Sequence, residues 1–327
     1  MAILLNRQDV AELLTMKDTI DILEKAFIDY KNGQVDMPVR LGITAPDYSG
    51  LSLYMPCYLK GLGALGIKTV TVFKDNPAKF KMPTVMGTIT LLDEKTGNTL
   101  AIMDGGYLTG MRTGAVAGLA SKFMANDNSS VMGLLGAGVM AKFQLRAVAE
   151  VIKLSKVKLF AIDEPAKINE FKSEMEKATG VDIEIVDSAE KAVHASDIVT
   201  LITSSKDPVI NGSWLSPGTH INGVGSHAPT FRELDVSTIK KSKIVCDSLE
   251  ACRAEAGDFI IPFDADEIDG SILNTELGDV VTGKKIRESD SDITLFKSVG
   301  LALQDISVAN FVYQKAVEKS KGVEFNF

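Results

Sequence analysis

The chain has 327 residues, enough for two domains of ordinary size, and its 45% hydrophobic and 24% charged residues indicate a globular rather than a disordered protein. The formal charge is −8, and no more than two Lys or Arg residues are adjacent anywhere. This charge pattern argues against a nucleic acid or an anionic membrane as a partner.

Cysteine usage and the N-terminus predict where the protein resides. Cys57, Cys246 and Cys252 form neither a C-x-x-C motif nor a framework typical of secreted proteins. The apolar run at the N-terminus is too short for a signal peptide, and no stretch approaches the ~20 apolar residues of a membrane-spanning helix. We therefore expect a cytoplasmic protein.

The N-terminal third predicts a helix followed by a sheet. Residues 15–32 have helical periodicity, Thr15 with Asp18 resembles a capping box, and Gly33 ends the helix. Runs of apolar or β-branched residues, separated by turn residues, then indicate an antiparallel sheet. These predicted strands are 39–44, 51–55, 64–73, 85–92 and 99–103.

The remainder alternates between strands and helices, which favours a parallel, doubly wound sheet. A helix over 109–124 comes first, and its many small residues permit close approach to a neighbouring backbone. The tail from 292 to 320 is predicted to be helical. Between them the predicted elements are 131–135, 139–152, 157–162, 166–178, 182–186, 188–195, 197–203, 219–224 and 243–246.

The strand at 131–135 ends in a glycine-rich turn that opens a helix. Gly136, Gly138 and Ala141 give the pattern G-x-G-x-x-A, in which the first glycine permits the tight turn and the second lets the backbone approach a pyrophosphate. The N–H groups and positive dipole end of the helix would hold the phosphates. The turn predicts a Rossmann-type dinucleotide-binding domain.

The residue that follows the next strand indicates which dinucleotide would bind. Asp163 stands 22 residues after Ala141, close to the position of the acid that hydrogen-bonds the adenosine ribose. Glu164 follows it, and no Arg or Lys is adjacent, so a ribose 2′-phosphate would meet two carboxylates. This favours NAD(H) over NADP(H), although Asp163 could also be an ordinary turn residue that caps the next helix.

Four cationic or titratable residues depart from the surface pattern: Arg40, Lys68, Arg112 and His227. Lys68 lies inside an apolar strand, and Arg112 lies among small residues. Each taken alone is more often a snorkelling cation or a turn histidine. Together with a nucleotide fold they predict a site for an amino or keto acid, in which Arg40 and Arg112 bind a carboxylate. Lys68 would transfer protons, because burial and the two neighbouring guanidinium groups would lower its pKa.

A metal site is not expected. The three histidines, His194, His220 and His227, lack the i, i+4 spacing of a helical zinc site.

Motifs in order along nearly the whole chain resemble the ornithine cyclodeaminase/μ-crystallin family, which includes archaeal-type alanine dehydrogenases and ketimine reductases. The motifs are Met37-Pro-x-Arg40, Met55-Pro56, Gly66-x-Lys68, Pro83-Thr-Val, Thr109-Gly-x-Arg112-Thr-Gly, Gly136-Ala-Gly138, Gly218-Thr-His-Ile-Asn222, Arg232-Glu-Leu-Asp235 and Ile293-Thr-x-Phe-Lys-Ser-x-Gly300.

The resemblance implies an α/β fold with two domains. Residues 1–115 with 300–327 would form an α+β substrate-binding and dimerisation domain, and 116–299 a Rossmann domain for NAD(H), in a homodimeric oxidoreductase acting on a small amino, imino or keto acid. Lys68 and His227 would be catalytic, and Arg40, Arg112 and Met55 would bind substrate. The residues assigned to the cofactor are Thr113, Gly136, Ala137, Gly138, Val139, Met140, Asp163, Thr203, Ser204, Val224 and Gly225.

The chain departs from the family pattern at two positions. Ornithine cyclodeaminases carry a Glu just before Leu-Met-Pro, held to bind the side-chain ammonium, where this chain has Leu53-Tyr-Met-Pro56. His227 stands where cyclodeaminases and alanine dehydrogenases usually carry a catalytic Asp. Both departures disfavour a cationic substrate, so we expect an amino-acid dehydrogenase or imine reductase. The alternatives are cyclodeamination of ornithine to proline and a non-catalytic protein that binds a small carboxylated ligand.

Overall fold

The computed structural model describes residues 1–326, which form two compact units. Unit 1 is Met1–Arg112 together with Leu301–Phe327, and unit 2 is Thr113–Gly300. These bounds lie close to the predicted 1–115, 300–327 and 116–299, while the roles assigned to the two domains stay predictions.

The described residues contain strands and helices whose bounds are as follows. The strands are β1 (Ala2–Leu5), β2 (Val35–Asp36), β3 (Leu41–Ala45), β4 (Gly50–Leu59), β5 (Ala64–Phe73), β6 (Val85–Leu92), β7 (Thr99–Asp104), β8 (Val131–Leu135), β9 (Lys156–Phe160), β10 (Asp182–Ile185), β11 (Ile198–Leu201), β12 (His220–Gly223), β13 (Ser242–Cys246), β14 (Ile293–Lys297) and β15 (Val323–Phe325). The helices are α1 (Arg7–Leu13), α2 (Met16–Lys31), α3 (Asn76–Phe80), α4 (Gly105–Met124), α5 (Val139–Val151), α6 (Pro165–Thr179), α7 (Ala189–Val193), α8 (Val236–Lys241), α9 (Leu249–Glu255), α10 (Gly257–Asp264), α11 (Leu277–Val281) and α12 (Ala302–Glu318), with 3-10 turns at Pro46–Tyr48 and Gly270–Ile272.

Unit 1 is built on one sheet with strand order β15-β1-β7-β6-β5-β4-β2, and β3 also pairs with β4. From β4 through β7 the pairing is antiparallel, as predicted. The buried face of β4, which carries Met55, Cys57 and Leu59, packs on α12. Helix α12 in turn contacts α2, so the C-terminal helix completes the core of the N-terminal unit.

Helix α2 begins where the capping signal predicts. The Thr15 side chain accepts a hydrogen bond from the Asp18 backbone N–H, and Ile20, Leu23 and Phe27 are buried on one face. The elements β1 and α1 before it are not predicted from the sequence. Strand β1 finds its partners in β7 and β15, far along the chain, so no local pattern announces it.

Unit 2 is a seven-stranded sheet with order β10-β9-β8-β11-β12-β14-β13, and every strand pair is parallel. The prediction of a doubly wound α/β fold is therefore confirmed. From β8 the chain adds β9 and β10 on one side of the sheet, and it then crosses back to add β11 on the other side of β8. In such sheets ligands bind outside the carboxyl ends of the strands at this reversal point.

The predicted helix over 292–320 is wrong in its first part. Residues 293–297 form β14, which lies between β12 and the edge strand β13. Four of its five residues are buried, and a strand enclosed on both faces lacks the alternation that would distinguish it from a helix. Helix α12 begins at Ala302, after Gly300 has taken a positive φ of 82°.

The small residues of α4 serve helix packing in unit 2. A Cβ atom added at Gly114 would lie 2.3 Å from the carbonyl oxygen of Phe143, and one at Gly118 would lie 2.8 Å from that of Ala147. Helices α4 and α5 therefore touch backbone to backbone. None of the helices within residues 1–326 has both the length and the apolar character needed to span a bilayer.

We predict that Gly114→Ala lowers the free energy of unfolding by about 1–3 kcal/mol, because the added methyl group collides with backbone that cannot move away cheaply. Chemical denaturation followed by circular dichroism measures this. Gly106→Ala, on the same helix but with only ordinary contacts at 3.5 Å or more, is the matched control and should be neutral or stabilising by up to about 1 kcal/mol. Equal stability of the two variants would contradict the packing argument.

Candidate functional site

Lys68 is fully enclosed in unit 1. It lies on β5, paired with Met55 of β4 and Ile89 of β6, and its relative exposure is only 1%. Its Nζ lies 2.6 Å from Oδ2 of Asp305, in the first turn of α12. A buried ammonium group needs such a partner, because desolvation strongly disfavours an unpaired charge.

Arg112 reaches the same carboxylate. Its Nε donates to Asp305 Oδ1 at 2.9 Å, and its Nη1 donates to Gln304 Oε1 at 2.9 Å. These two bonds use two of the five guanidinium hydrogens, so Arg112 retains donors for a ligand. Nε2 of Gln304 is buried and makes no hydrogen bond with any residue in the described part of the chain.

The charges around Lys68 set its protonation. Burial lowers the pKa of Lys68 to about 7, Asp305 opposes this shift, and the positive charges of Arg112 and Arg40 reinforce it. Arg40 precedes β3 in the chain. Lys68 and Arg112 thus share the one carboxylate of Asp305. Two cations on one carboxylate, with the unused amide donor of Gln304, suit an anionic ligand such as a carboxylate.

Four sequence-predicted residues are therefore brought together in unit 1, namely Arg40, Met55, Lys68 and Arg112. Cys57 is buried beside them, and burial raises the pKa of its thiol to about 12, so it is not a nucleophile at neutral pH. Gln304 is not predicted as a site residue. For Asp305 the sequence leaves two roles open, one facing the substrate pocket and one capping the contact between the domains; both residues lie within the helix predicted over 292–320.

In unit 2 the glycine turn has the geometry that the fingerprint predicts. The Gly136 N–H donates to the Phe160 carbonyl at 2.9 Å, and its φ of +114° favours glycine. A Cβ atom there would also lie 2.6 Å from the Ile202 carbonyl oxygen. At Gly138, by contrast, an added Cβ would meet nothing within 4 Å, which leaves open space at the start of α5 where a phosphate could approach.

The other predicted cofactor residues surround the carboxyl ends of the strands. Asp163 is exposed in the loop between β9 and α6, three residues beyond the end of the strand, and Glu164 follows it. Val139 is 65% exposed at the start of α5, next to Ala137 and Met140 in sequence. Thr113 uses its carbonyl to accept a hydrogen bond from Gln144, so its assignment to the cofactor stays a prediction.

Two loops at these strand ends carry the remaining predicted residues. Thr203 and Ser204 follow β11, while Val224, Gly225 and His227 follow β12. His227 is exposed, and its Nδ1 lies 3.0 Å from the Gly225 carbonyl oxygen. Apart from Thr113, which lies in α4, the predicted nucleotide residues thus follow the carboxyl ends of strands in the unit 2 sheet.

Comparison with known proteins identifies the family of the chain. The model of the ornithine cyclodeaminase/mu-crystallin family matches residues 1–320. The chain belongs to this family. The prediction of the family from sequence motifs is thereby confirmed.

Three relatives from this family are similar over almost their whole length. An alanine dehydrogenase of Archaeoglobus fulgidus is 37% identical, with 99% of this chain and 98% of that protein covered. The structure of the Thermococcus litoralis Δ1-pyrroline-2-carboxylate reductase in complex with NADH and L-proline is 42% identical, with a TM-score of 0.95 over 99% of this chain and 100% of that one. An archaeal alanine dehydrogenase dimer with bound NAD is 35% identical, with a TM-score of 0.94 over 100% and 99%.

We predict that Gly138→Ala weakens NADH binding about tenfold or more without destabilising the protein, because the methyl group enters open space where a pyrophosphate would approach. Fluorescence titration with NADH and thermal denaturation measure the two effects. Gly270→Ala is the matched control, since an added Cβ there also meets nothing within 4 Å. If both variants bind NADH like the parent, the glycine turn does not hold the phosphates.

Proposed function

We propose that the protein is an NAD(H)-dependent oxidoreductase that transfers a hydride between nicotinamide and Cα of a small or cyclic amino or imino acid. The observation that carries the proposal is the buried cluster of Lys68, Arg112 and Asp305, on whose lysine Arg40 also acts, in a chain similar to one reductase that binds NADH and one alanine dehydrogenase that binds NAD. It combines an anion site with a titratable amine, which is what an α-amino or α-imino acid requires.

In this proposal unit 1 holds the substrate. Arg40 and Arg112 bind the carboxylate, and Gln304 Nε2 supplies a further donor. Asp305 keeps Arg112 and Lys68 in fixed positions by accepting from one and pairing with the other. Lys68 exchanges a proton with the substrate nitrogen, because its pKa near 7 lets it act as donor or acceptor at neutral pH. His227, in unit 2, is proposed as a second proton-handling group.

Unit 2 would hold the dinucleotide. Gly136, Gly138 and the N-terminus of α5 fit a pyrophosphate, and the exposed carboxylates of Asp163 and Glu164 fit a ribose diol but not a 2′-phosphate. When bound, nicotinamide supplies or accepts the hydride. Reduction of an imine then consumes one NADH and one proton and yields the amine and NAD⁺.

The residues beside Lys68 favour a substrate with an uncharged side chain. Leu53 pairs with Val70 two positions along from the Met55–Lys68 pair, so both lie on the same face of the sheet as Lys68. An apolar pair at this place suits a ring or a methyl group. An ammonium group left without a carboxylate partner there would cost roughly 2–5 kcal/mol, which disfavours ornithine.

Among substrates with an uncharged side chain we favour a cyclic imino acid such as Δ1-pyrroline-2-carboxylate, since the reductase that binds NADH and L-proline is 42% identical. Alanine is the second candidate, because the Archaeoglobus alanine dehydrogenase is 37% identical. Both reactions place a carboxylate beside the carbon that receives the hydride, so the site in unit 1 accommodates either.

We also propose that the protein is a homodimer and cytoplasmic. Strand β3 exposes Leu41 and Ile43, at 62% and 54% of their surface, on one face of the unit 1 sheet, and the archaeal alanine dehydrogenase in this family is a dimer. The three cysteines are unpaired and buried, as expected in a reducing compartment.

The decisive assay follows NADH oxidation at 340 nm with Δ1-pyrroline-2-carboxylate and, separately, with pyruvate plus ammonia. We expect the cyclic imine to be the faster substrate by about tenfold or more. Conversion of ornithine to proline and ammonia without net NADH change would instead indicate a cyclodeaminase. Ligand binding without turnover of any carboxylated imine would indicate a binding protein.

We predict that kcat/KM for imine reduction falls as pH rises through about 7, because the reduction needs protonated Lys68. Asp305 raises the pKa of Lys68, so Asp305→Asn should move this fall to lower pH. Measuring both proteins with the same substrate cancels any titration of the substrate itself. A pH profile that does not move in Asp305→Asn would remove Lys68 from the proton-transfer step.

A further inference from the structure

Glu233 is a charged residue in the interior of unit 2 that neither the sequence motifs nor the reaction assigns a role. It lies in the segment between β12 and α8, and its relative exposure is 0%. Burial raises the pKa of Glu233, while Lys297 and the bonds from Thr203 oppose that shift. Burying a carboxylate costs free energy unless hydrogen bonds compensate for the lost water, so the contacts of Glu233 indicate its role.

Both oxygens of Glu233 are occupied by donors from two separate loops. Oε1 accepts from the Thr203 backbone N–H at 2.6 Å and from the Thr203 hydroxyl at 2.9 Å. Oε2 accepts from the backbone N–H groups of Gly225 at 2.8 Å and Ser226 at 3.1 Å. One side chain therefore joins the loop that follows β11 to the loop that follows β12.

The fit between these loops and Glu233 is close. A Cβ atom added at Gly225 would lie 2.3 Å from Glu233 Oε1 and 2.4 Å from the Thr203 carbonyl oxygen. Glycine is therefore needed where the second loop passes the carboxylate.

Glu233 is itself held from behind. Its own backbone N–H donates to Asp258 Oδ1 at 2.6 Å, and Asp258 Oδ2 lies 2.6 Å from the ammonium group of Lys297. Lys297 also donates to the Ser226 carbonyl at 2.7 Å, and Ser226 belongs to the loop after β12 that Glu233 binds. Asp258 and Lys297 are both fully buried, so the arrangement is a closed set of bonds with little freedom to move.

We propose that Glu233 is a positioning residue that presets the two loops for the nicotinamide end of the cofactor, so that the protein binds NAD(H) without first having to order them. The inference rests on the proposed function, because it assumes that Thr203, Ser204, Val224 and Gly225 line the dinucleotide site. It assigns no contact between Glu233 and the cofactor. Its effect is exerted through the backbone of Thr203, Gly225 and Ser226.

The test variant is Glu233→Gln. Each oxygen of Glu233 accepts from at least one backbone N–H, so whichever way the amide is turned, its NH₂ group faces a backbone donor. One bond is lost if the NH₂ group faces Thr203, whose hydroxyl can turn to accept, and two are lost if it faces Gly225 and Ser226. We expect the dissociation constant and the KM for NADH to rise about tenfold or more, with the KM for the imine substrate unchanged within about twofold. Fluorescence titration and steady-state kinetics give these constants.

The matched control is Asp197→Asn. Asp197 Oδ2 also accepts two backbone N–H groups in unit 2, from Ser130 at 2.8 Å and Val131 at 2.9 Å, but it does so at the amino ends of β8 and β11. Asp197→Asn should lower stability yet leave the NADH dissociation constant within about twofold of the parent. If both variants weaken NADH binding equally, or if neither does, Glu233 is only a structural residue and the inference is overturned.

A second measurement does not depend on whether the variant folds. Hydrogen–deuterium exchange of the parent protein, read by mass spectrometry, should show slow exchange in peptides covering 202–205 and 224–227 before NADH is added. Rapid exchange there that slows only with NADH would overturn the inference. A parent protein that binds no NADH in the titration would refute the proposed function itself, and with it this inference.

Discussion

Asp305 contacts parts of the chain that lie about two hundred residues or more before it in sequence. It receives the Lys68 ammonium from the sheet and the Arg112 guanidinium from α4, and it does so from the first turn of α12. Without this carboxylate two positive charges would lie buried between a helix and a sheet, at a cost of several kcal/mol. The proposed anion site therefore forms only when the C-terminal helix packs on the N-terminal sheet.

Unit 2 uses carboxylates for a related purpose. The carboxyl ends of parallel strands run into loops whose N–H groups have no strand partner, and buried side chains supply acceptors. Glu233 serves the loops after β11 and β12. Asp247, just after β13, accepts from the N–H groups of Val299 and Gly300 after β14. The edge of the sheet where a dinucleotide would bind is thereby fixed by side chains that lie beneath it.

The sequence is most informative where the signal is local. Lys68 is conspicuous because it is a charge inside an apolar strand, and the glycine turn because its spacing is short. Local signals can still mislead, since Lys297 is also a charge inside a buried strand, yet the pattern around it predicts the start of a helix. Asp258 and Glu233 carry no such signal, because an acidic residue in a polar context resembles a solvated one until its partner is known, and Lys297 is 39 residues from Asp258. The role of Asp305 stays open in the sequence for the same reason, since its partner Arg112 is 193 residues away.

The two departures from the family pattern have a common physical meaning. By the family resemblance, Leu53 stands where ornithine cyclodeaminases carry a Glu and His227 where cyclodeaminases and alanine dehydrogenases usually carry an Asp, so each lacks a negative charge that could receive a substrate ammonium. The cations proposed to serve the substrate, Lys68, Arg112 and Arg40, are all present. In the proposed function such a site would attract the α-carboxylate of an amino acid strongly and leave the side chain to apolar contacts. It would therefore favour substrates with an uncharged side chain, a property that a cyclic imino acid and alanine share and ornithine lacks.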